Sequence, residues 1–338
     1  MDSQIQVTAI LPARDEEENI AAAVESLAAQ AEIGEIIVVN DQSTDRTGEI
    51  LAELAARIPR LRVINNEAAP PEGWSGKNWA VWLGVAEARG AWLLFTDADV
   101  VHQPGGVARA LEDAARHGAA LVSYSPEQVM STWWERAVTP FIFCRLAAHY
   151  PYARINDPRC PDAAANGQFL LVRREAYQRV GGHQAVAGEV VEDVAVAHAF
   201  KRAGERLYFA SGQGIARTRM YRSLPALWEG WKKNLYLLIG SSRAALWREL
   251  LVVVPWIPLG MLALGPVHRL LPLLGLVLLA GRHVGYGIEL SRNRFPAAVS
   301  IYYLCAVAFY AAALVSSAGS YARGRVRWRG REYPVGRA

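Results

Sequence analysis

The sequence predicts an α/β fold: a Rossmann-like, mostly parallel sheet with helices on both faces, followed by transmembrane helices at the C-terminal end. Two patterns carry this reading. Up to about residue 240, short β-branched runs alternate with segments whose apolar residues recur at helical spacing, as expected for strands joined by crossover helices. After Leu246 apolar residues dominate, so the 52% hydrophobic fraction of the 338 residues is a local excess, as in a membrane anchor.

Residues 7–11 form a β-branched run closed by Pro12, and residues 17–29 then place apolar side chains on one helical face. The alternation repeats with strands at 35–40, 62–65 and 92–96 and helices at 46–56 and 78–89. A helix from Pro104 to His117, short strands at 120–123, 167–172 and 207–210, and helices at 191–203 and 223–239 complete this part. The aromatic stretch 132–150, which includes Trp133, Trp134, Phe141 and Phe143, suits a helix lying against a bilayer or a buried core helix equally well.

Three apolar segments follow, at 250–264, 270–287 and 297–317; the last is long enough to cross a hydrocarbon core, while Pro255, Pro258, Pro266 and Pro272 interrupt the first two. The expected organisation is therefore an α/β domain over 1–240, a membrane region with two or three hydrophobic helices over 241–320, and a basic tail over 321–338. In that tail Arg323, Arg325, Arg327, Arg329 and Arg331 alternate, a pattern suited to anionic headgroups or to a solvated terminus.

The formal net charge of +4 and the lack of a face that interleaves basic and aromatic residues speak against nucleic acid as a partner. Cys144, Cys160 and Cys305 suggest neither a disulfide framework nor a zinc site. With no basic and then apolar leader at the start, the α/β part is expected to face the cytoplasm, from the inner membrane. If the tail faces the same side, the number of crossings is even.

In open α/β sheets ligands gather beyond the carboxyl ends of the strands, so the polar residues there are the candidates. Asp97-Ala98-Asp99 follows the strand 92–96 directly. Two carboxylates one residue apart can hold a hard cation while the cation holds a diphosphate; a solvated turn is the plain alternative. Pro12-Ala13-Arg14-Asp15-Glu16 follows the first strand and Asn40-Asp41-Gln42-Ser43-Thr44-Asp45 the second, placing carboxylates where a nucleoside would lie. Helix capping by Asp15 and by Ser43 or Asp45 is compatible with that role.

Gly73-Trp74-Ser75-Gly76-Lys77 precedes a helix and offers a lysine to a phosphate, though without P-loop spacing. Glu192-Asp193 opens another helix, where the amide dipoles favour an ionised carboxylate fit to act as a general base. Two helix-starting charges without a task are the alternative. The preceding Gly181-Gly182-His183 and Gly188 suggest a mobile loop.

Taken in order, Pro12-Ala13-Arg14-Asp15-Glu16-Glu17, Asn40-Asp41-Gln42-Ser43-Thr44-Asp45, Gly76-Lys77, Asp97-Ala98-Asp99, Asn166-Gly167 and Glu192-Asp193 resemble glycosyltransferase family 2, of the GT-A fold. Within that family, Arg219-Met220-Tyr221, Glu229-Gly230-Trp231 and the tail 328–333 resemble bacterial enzymes that glycosylate carotenoid or related terpenoid lipids. The resemblance implies inverting transfer of a hexose, glucose from UDP-glucose by default, from a nucleotide diphosphate sugar to a lipid acceptor.

It also implies roles. Asp15 and Asp41 would contact the nucleoside, with Pro12, Ala13, Glu16, Lys77 and Ala98 on the donor side. Asp97 would lie by the ribose and diphosphate, and Asp99 would join it in holding a divalent cation, Mg2+ or Mn2+. Asp193 would be the base, while Asn166, Gly167, Glu192, Arg219, Trp231 and Lys232 would face the acceptor or the leaving diphosphate. Where processive synthases carry Gln-x-x-Arg-Trp, this chain has Leu227-Trp228-Glu229-Gly230-Trp231, which departs from their pattern. A polyprenyl-phosphate acceptor and a non-catalytic scaffold that binds nucleotide sugar or lipid are the rival expectations.

Overall fold

The β-branched run near the start of the chain becomes a buried central strand, β1 (Val7–Ala13), because both of its faces are covered and neither needs polar residues. The computed structural model describes residues 6–328 and 331–334. The elements up to the middle of the chain follow as α1 (Ile20–Ala28), β2 (Ile33–Asp41), α2 (Thr47–Arg57), β3 (Leu61–Asn66), α3 (Gly76–Glu87), β4 (Trp92–Phe95), β5 (Val100–His102), α4 (Gly106–His117) and β6 (Leu121–Gln128). Next come α5 (Trp133–His149), α6 (Tyr152–Asn156), β7 (Leu170–Arg173), α7 (Arg174–Arg179), a 3-10 turn (Gly182–Val186), α8 (Glu192–Arg202) and β8 (Leu207–Thr218).

The strands β1 to β8 form one sheet in the order β3-β2-β1-β4-β7-β6-β8-β5. Alternation along each strand divides the core. Ala9, Leu11, Ile36, Val38 and Leu94 pack on one face with Ile20, Val24 and Leu27 of α1 and Leu51 and Leu54 of α2. Ile10, Ile37, Val39, Leu93 and Phe95 pack on the other with Ala80 and Val81 of α3 and Val196, Ala197 and Phe200 of α8.

The sheet is mixed. β1, β2, β3, β4, β6 and β8 share one direction, whereas β7 runs against β4 and β6, and β5 runs against β8. Reversal at β7 follows from chain routing: the chain re-enters the sheet at the carboxyl end of β4, as the pairing Phe95↔Leu170 requires. Hydrophobic period reports burial, not direction, so this was invisible in the sequence. The three-residue β5 was too short to leave any period.

Hydropathy places the expected boundary at residue 240, but compaction divides the chain otherwise, into Met1–Val129 with Tyr150–Met220 and Met130–His149 with Tyr221–Ala338. The second unit holds α5, α9 (Leu224–Leu238), α10 (Arg243–Val253), α11 (Trp256–Ala263), α12 (Leu271–Arg292), a 3-10 turn (Ala297–Tyr302), α13 (Tyr303–Ala322) and an antiparallel pair, β9 (Arg325–Trp328) and β10 (Arg331–Pro334). Two helical stretches are long and apolar enough to cross a membrane, Leu271–Arg292 and Ala297–Ala322. At about 1.5 Å per residue each exceeds the roughly 30 Å hydrocarbon thickness. The first apolar segment falls in a pair, α10 and α11, bent by 59° at a break that holds Pro255. Of the alternating tail arginines, Arg329 lies outside the described residues.

α5 buries Val138, Phe141, Ile142 and Cys144 within its own unit and leaves Trp133 60% exposed, so most of this aromatic helix is core. Its Arg145 donates to both oxygens of the buried Glu249 of α10 at 2.8 and 3.1 Å, and Tyr310 of α13 donates to the same carboxylate at 2.9 Å.

Gly84 of α3 has no room for a methyl group, since a Cβ there would stand 2.6 Å from Ile10 Cγ2. Gly84→Ala is expected to lower stability by about 1–3 kcal/mol through overpacking of α3 on β1. A thermal melt of the solubilised protein with an unchanged midpoint would contradict this.

Candidate active site

Parallel pairing brings the carboxyl ends of β1, β2 and β4 to one edge: Ala13 pairs with Asn40 and Ile10 with Phe95. Because β7 begins where β4 ends, the turn Asn166-Gly167 arrives at the same edge. The loops after these strands therefore share a surface although their residues are far apart in sequence.

Its best-defined feature is an ion cluster. Lys77 Nζ, at the first turn of α3, lies 2.8 Å from Asp97 Oδ1 and 2.6 Å from Glu192 Oε1. Burial alone would lower the Lys77 ammonium, but the two carboxylates outweigh it and hold the group well above its ordinary value, fully charged. Asp193 stands next to this pair. Its Oδ2 accepts the Gly167 amide and its Oδ1 the Val194 amide, both at 2.8 Å. Gly167 lies against the cluster: a Cβ there would make ordinary contact, 3.4 Å from both Lys77 Nζ and Glu192 Oε1 and 3.5 Å from Asp193 Oδ2.

The half-buried Asp193 carboxyl is pushed up to about 6, first by loss of solvation and then by the adjacent Glu192 charge, against the opposing pull of Lys77 and the two amides. A carboxylate so tuned is ionised at neutral pH yet basic enough to receive a proton.

Asp15 and Asp41 lie along the same edge, after β1 and β2. Asp15 holds a left-handed backbone, φ 52°, and reaches across to the β2 loop, where its Oδ1 accepts the Thr44 amide at 2.7 Å. Further bonds tie the loops, among them Asp15 N to Ser43 Oγ, Glu16 N to Thr47 Oγ1, Glu17 N to Asp45 Oδ2 and Arg46 N to Glu17 Oε2. Thus Asp15 and Ser43 bind each other's loops, while α1 begins without a side-chain cap. The Glu16 carboxylate accepts from Asn19, at the start of α1. Asp41 is buried, accepts from Asn66 at 2.8 Å and has Arg14 Nη1 at 3.9 Å.

Asp97 and Asp99 are half-buried, while Ala98 between them turns into the core with Val100. Among the described residues no group of three His, Cys, Asp or Glu is gathered as a metal cage. The all-oxygen pair Asp97 and Asp99 fits a magnesium- or manganese-type ion that draws its other ligands from diphosphate and water. Arg219 follows Thr218, which ends β8 and pairs with Val100, the residue after Asp99. Pro12 and Ala13 close β1. Trp231 and Lys232 belong to α9 of the second unit, where Trp231 is buried edge-on to Phe143 and Tyr221.

Behind Asp97 lies a buried polar floor with no sequence signature. Thr96 donates its hydroxyl proton to the Gln168 carbonyl at 2.8 Å and so receives the proton of His102 Nε2 at 3.1 Å. Burial pushes His102 down to about 3, which keeps the imidazole neutral. Gln168 in turn donates to Thr218.

The loop before α8, expected to be mobile, is instead tied down. Tyr177 and buried His183 share a 2.7 Å hydrogen bond, and Ser75 N donates to Ala187 O at 2.8 Å.

Known proteins resemble this chain in sequence and in fold. Two 4,4'-diaponeurosporenoate glycosyltransferases, from Staphylococcus haemolyticus (strain JCSC1435) and Staphylococcus aureus (strain USA300), are each 26% identical to this chain, over 253 and 240 residues or 74% and 70% of it. The aligned part spans 65% and 62% of those relatives, less than two thirds of their length. Among solved structures, the mannosyltransferase PcManGT from Pyrobaculum calidifontis, in complex with GDP-Man and Mn2+, superposes with a TM-score of 0.56 at 17% identity, covering 93% of this chain and 86% of that one. That likeness is one of fold. The family model for glycosyl transferase family 2 matches residues 8–181, which contain Asp15, Asp41, Lys77, Asp97, Asp99 and Gly167, and the chain belongs to that family.

Proposed function

We propose that this chain is an inverting glycosyltransferase that moves a hexose, glucose from UDP-glucose by default, from a nucleotide diphosphate sugar onto a carotenoid or other terpenoid lipid. The observation that carries the proposal is the bridging of Asp97 and Glu192 by Lys77, with Asp193 fixed alongside by the Gly167 amide. The names of the staphylococcal relatives support a terpenoid acid as acceptor class. Helices long and apolar enough to cross a membrane support catalysis at a bilayer; the cytoplasmic side of the inner membrane is the location that belongs to this proposal.

In the proposed reaction an acceptor oxygen attacks the anomeric carbon as the bond from that carbon to the diphosphate oxygen breaks, so configuration inverts. Asp193 receives the proton of an acceptor hydroxyl. A carboxylate acceptor has no proton to give, and Asp193 then only orients it. Asp15 and Asp41 hold the nucleoside, and Arg219, just past the end of β8, is suited to the departing diphosphate. Lys77 exchanges part of its contact with Asp97 for a phosphate oxygen when the donor arrives, a charge-assisted bond of the stronger kind. Asp97 and Asp99 would hold a divalent cation, which would supply charge stabilisation at the leaving diphosphate. The fold-level neighbour crystallised with GDP-Man and Mn2+ supports both ligand classes.

Asp193→Asn is expected to reduce transfer to a hydroxyl acceptor by at least about 100-fold while donor binding survives; near-normal turnover would remove Asp193 from the role. Since Asp193 acts as the ionised base and its carboxyl lies at about 6, kcat/KM should be flat above neutrality and fall about tenfold per pH unit below that value. A flat profile down to pH 5 would contradict this. EDTA should abolish transfer and Mn2+ or Mg2+ restore it, with Asp99→Asn raising the half-saturating Mn2+ concentration at least about tenfold. Full activity in EDTA would refute the cation site.

A further inference from the structure

Lys77 and Glu192 belong to segments that have no strand pairing in common, so their 2.6 Å contact requires something to fix one segment on the other. The residue after Lys77 does this. Asn78 is fully buried, and its Nδ2 lies 2.9 Å from Val186 O, 2.9 Å from Ala187 O and 3.1 Å from Glu189 O. These carbonyls end the 3-10 turn and lead directly into Glu192 and Asp193. The opposite rotamer of the amide would point Oδ1 at the same carbonyls and repel them, so the donor assignment is unambiguous. Two neighbouring contacts follow the same seam: Ser75 N donates to Ala187 O at 2.8 Å, and Gly188 packs so closely that a Cβ there would meet Gly73 O at 2.9 Å.

We propose that Asn78 is a positioning residue whose amide brackets the 186–189 turn to the start of α3 and thereby sets Glu192 and Asp193 in place against Lys77. This rests on the reading of Asp193 as the base. Asn78 touches neither substrate nor the reacting atoms; it acts through the turn. The two hydrogens of one amide, shared among three carbonyls, fix position and orientation of the turn together, which a single bond would not. Coupling runs both ways, since the Asn78 side chain and the Lys77 ammonium leave adjacent positions on one rigid helix. A displacement of the turn by about 1 Å is enough to cost roughly 100-fold in rate when the group displaced is catalytic.

The test uses the full-length protein in lipid nanodiscs with Asn78→Ala and, independently, Gly188→Ala, which pushes the same turn off Gly73 without altering Asn78. Both variants should lower kcat by about 10- to 100-fold while the donor KM stays within about 3-fold. The acid limb of the kcat/KM profile should move to lower pH, because a loosened turn readmits water to Asp193 and burial is the main cause of its elevation. Hydrogen exchange of peptides covering residues 182–194 should rise in both variants. Unchanged exchange there overturns the bracket whatever the activity. Raised exchange with wild-type kcat and acid limb overturns its part in catalysis, and so does a rate loss that only follows the folded fraction. Failure of the underlying reading is scored separately, as near-normal turnover in Asp193→Asn.

Discussion

Three carboxylates, Asp97, Glu192 and Asp193, gather where a sheet edge meets the start of a helix, and the Lys77 ammonium is what makes that gathering tolerable. Two like charges about 4 Å apart repel by roughly 4 kcal/mol at the effective dielectric of such a site. Lys77 offsets this by bonding to two of them at once, and it stays charged because they outweigh its loss of water. The set as a whole remains negative, which suits the proposed uptake of a diphosphate together with a cation. Withdrawal of Asp193 from water, and then the charge of Glu192, lift that carboxyl toward neutrality, as the base role proposed for it requires.

Around this centre polar groups fix loops to one another as well as capping helices, as Ser75 does for α3 by accepting the Asn78 amide. The β1 and β2 loops grip each other through Asp15, Ser43, Thr44, Glu17 and Asp45, and the α8 approach is fastened to the α3 start through Asn78 and Ser75. Beneath Asp97, the chain Gln168, Thr96 and His102 provides a neutral floor in which each hydroxyl and imidazole proton has a defined acceptor. Preorganisation of this kind lets charged groups hold their geometry before a ligand arrives.

The second unit solves a different problem. Its helices are apolar, and hydrophobic packing alone gives them little reason to choose one register over another. Glu249, with Arg145, His149 and Tyr310 around its carboxylate, ties α5, α10 and α13 through directional bonds. Buried ion pairs seldom add much net stability, because desolvation consumes the Coulombic gain, but breaking one is costly. The network is therefore better understood as a register pin than as a source of stability.

Much of this was legible from the residues alone. Alternating β-branched and helical-period segments fixed the α/β class, and acidic residues after the strands ending at Ala13, Asp41 and Phe95 marked the edge where the site lies, because local pattern reports burial and strand ends. The apolar segments near the C-terminal end were equally plain. Pairing direction, the assignment of α5 and α9 to the apolar unit, and the arrest of the glycine-containing loop before α8 were decided only in three dimensions. So were the partners of Lys77. Each depends on contacts between residues far apart in the chain, where spacing carries no information and only packing determines which carbonyl meets Asn78 or which carboxylates share one ammonium.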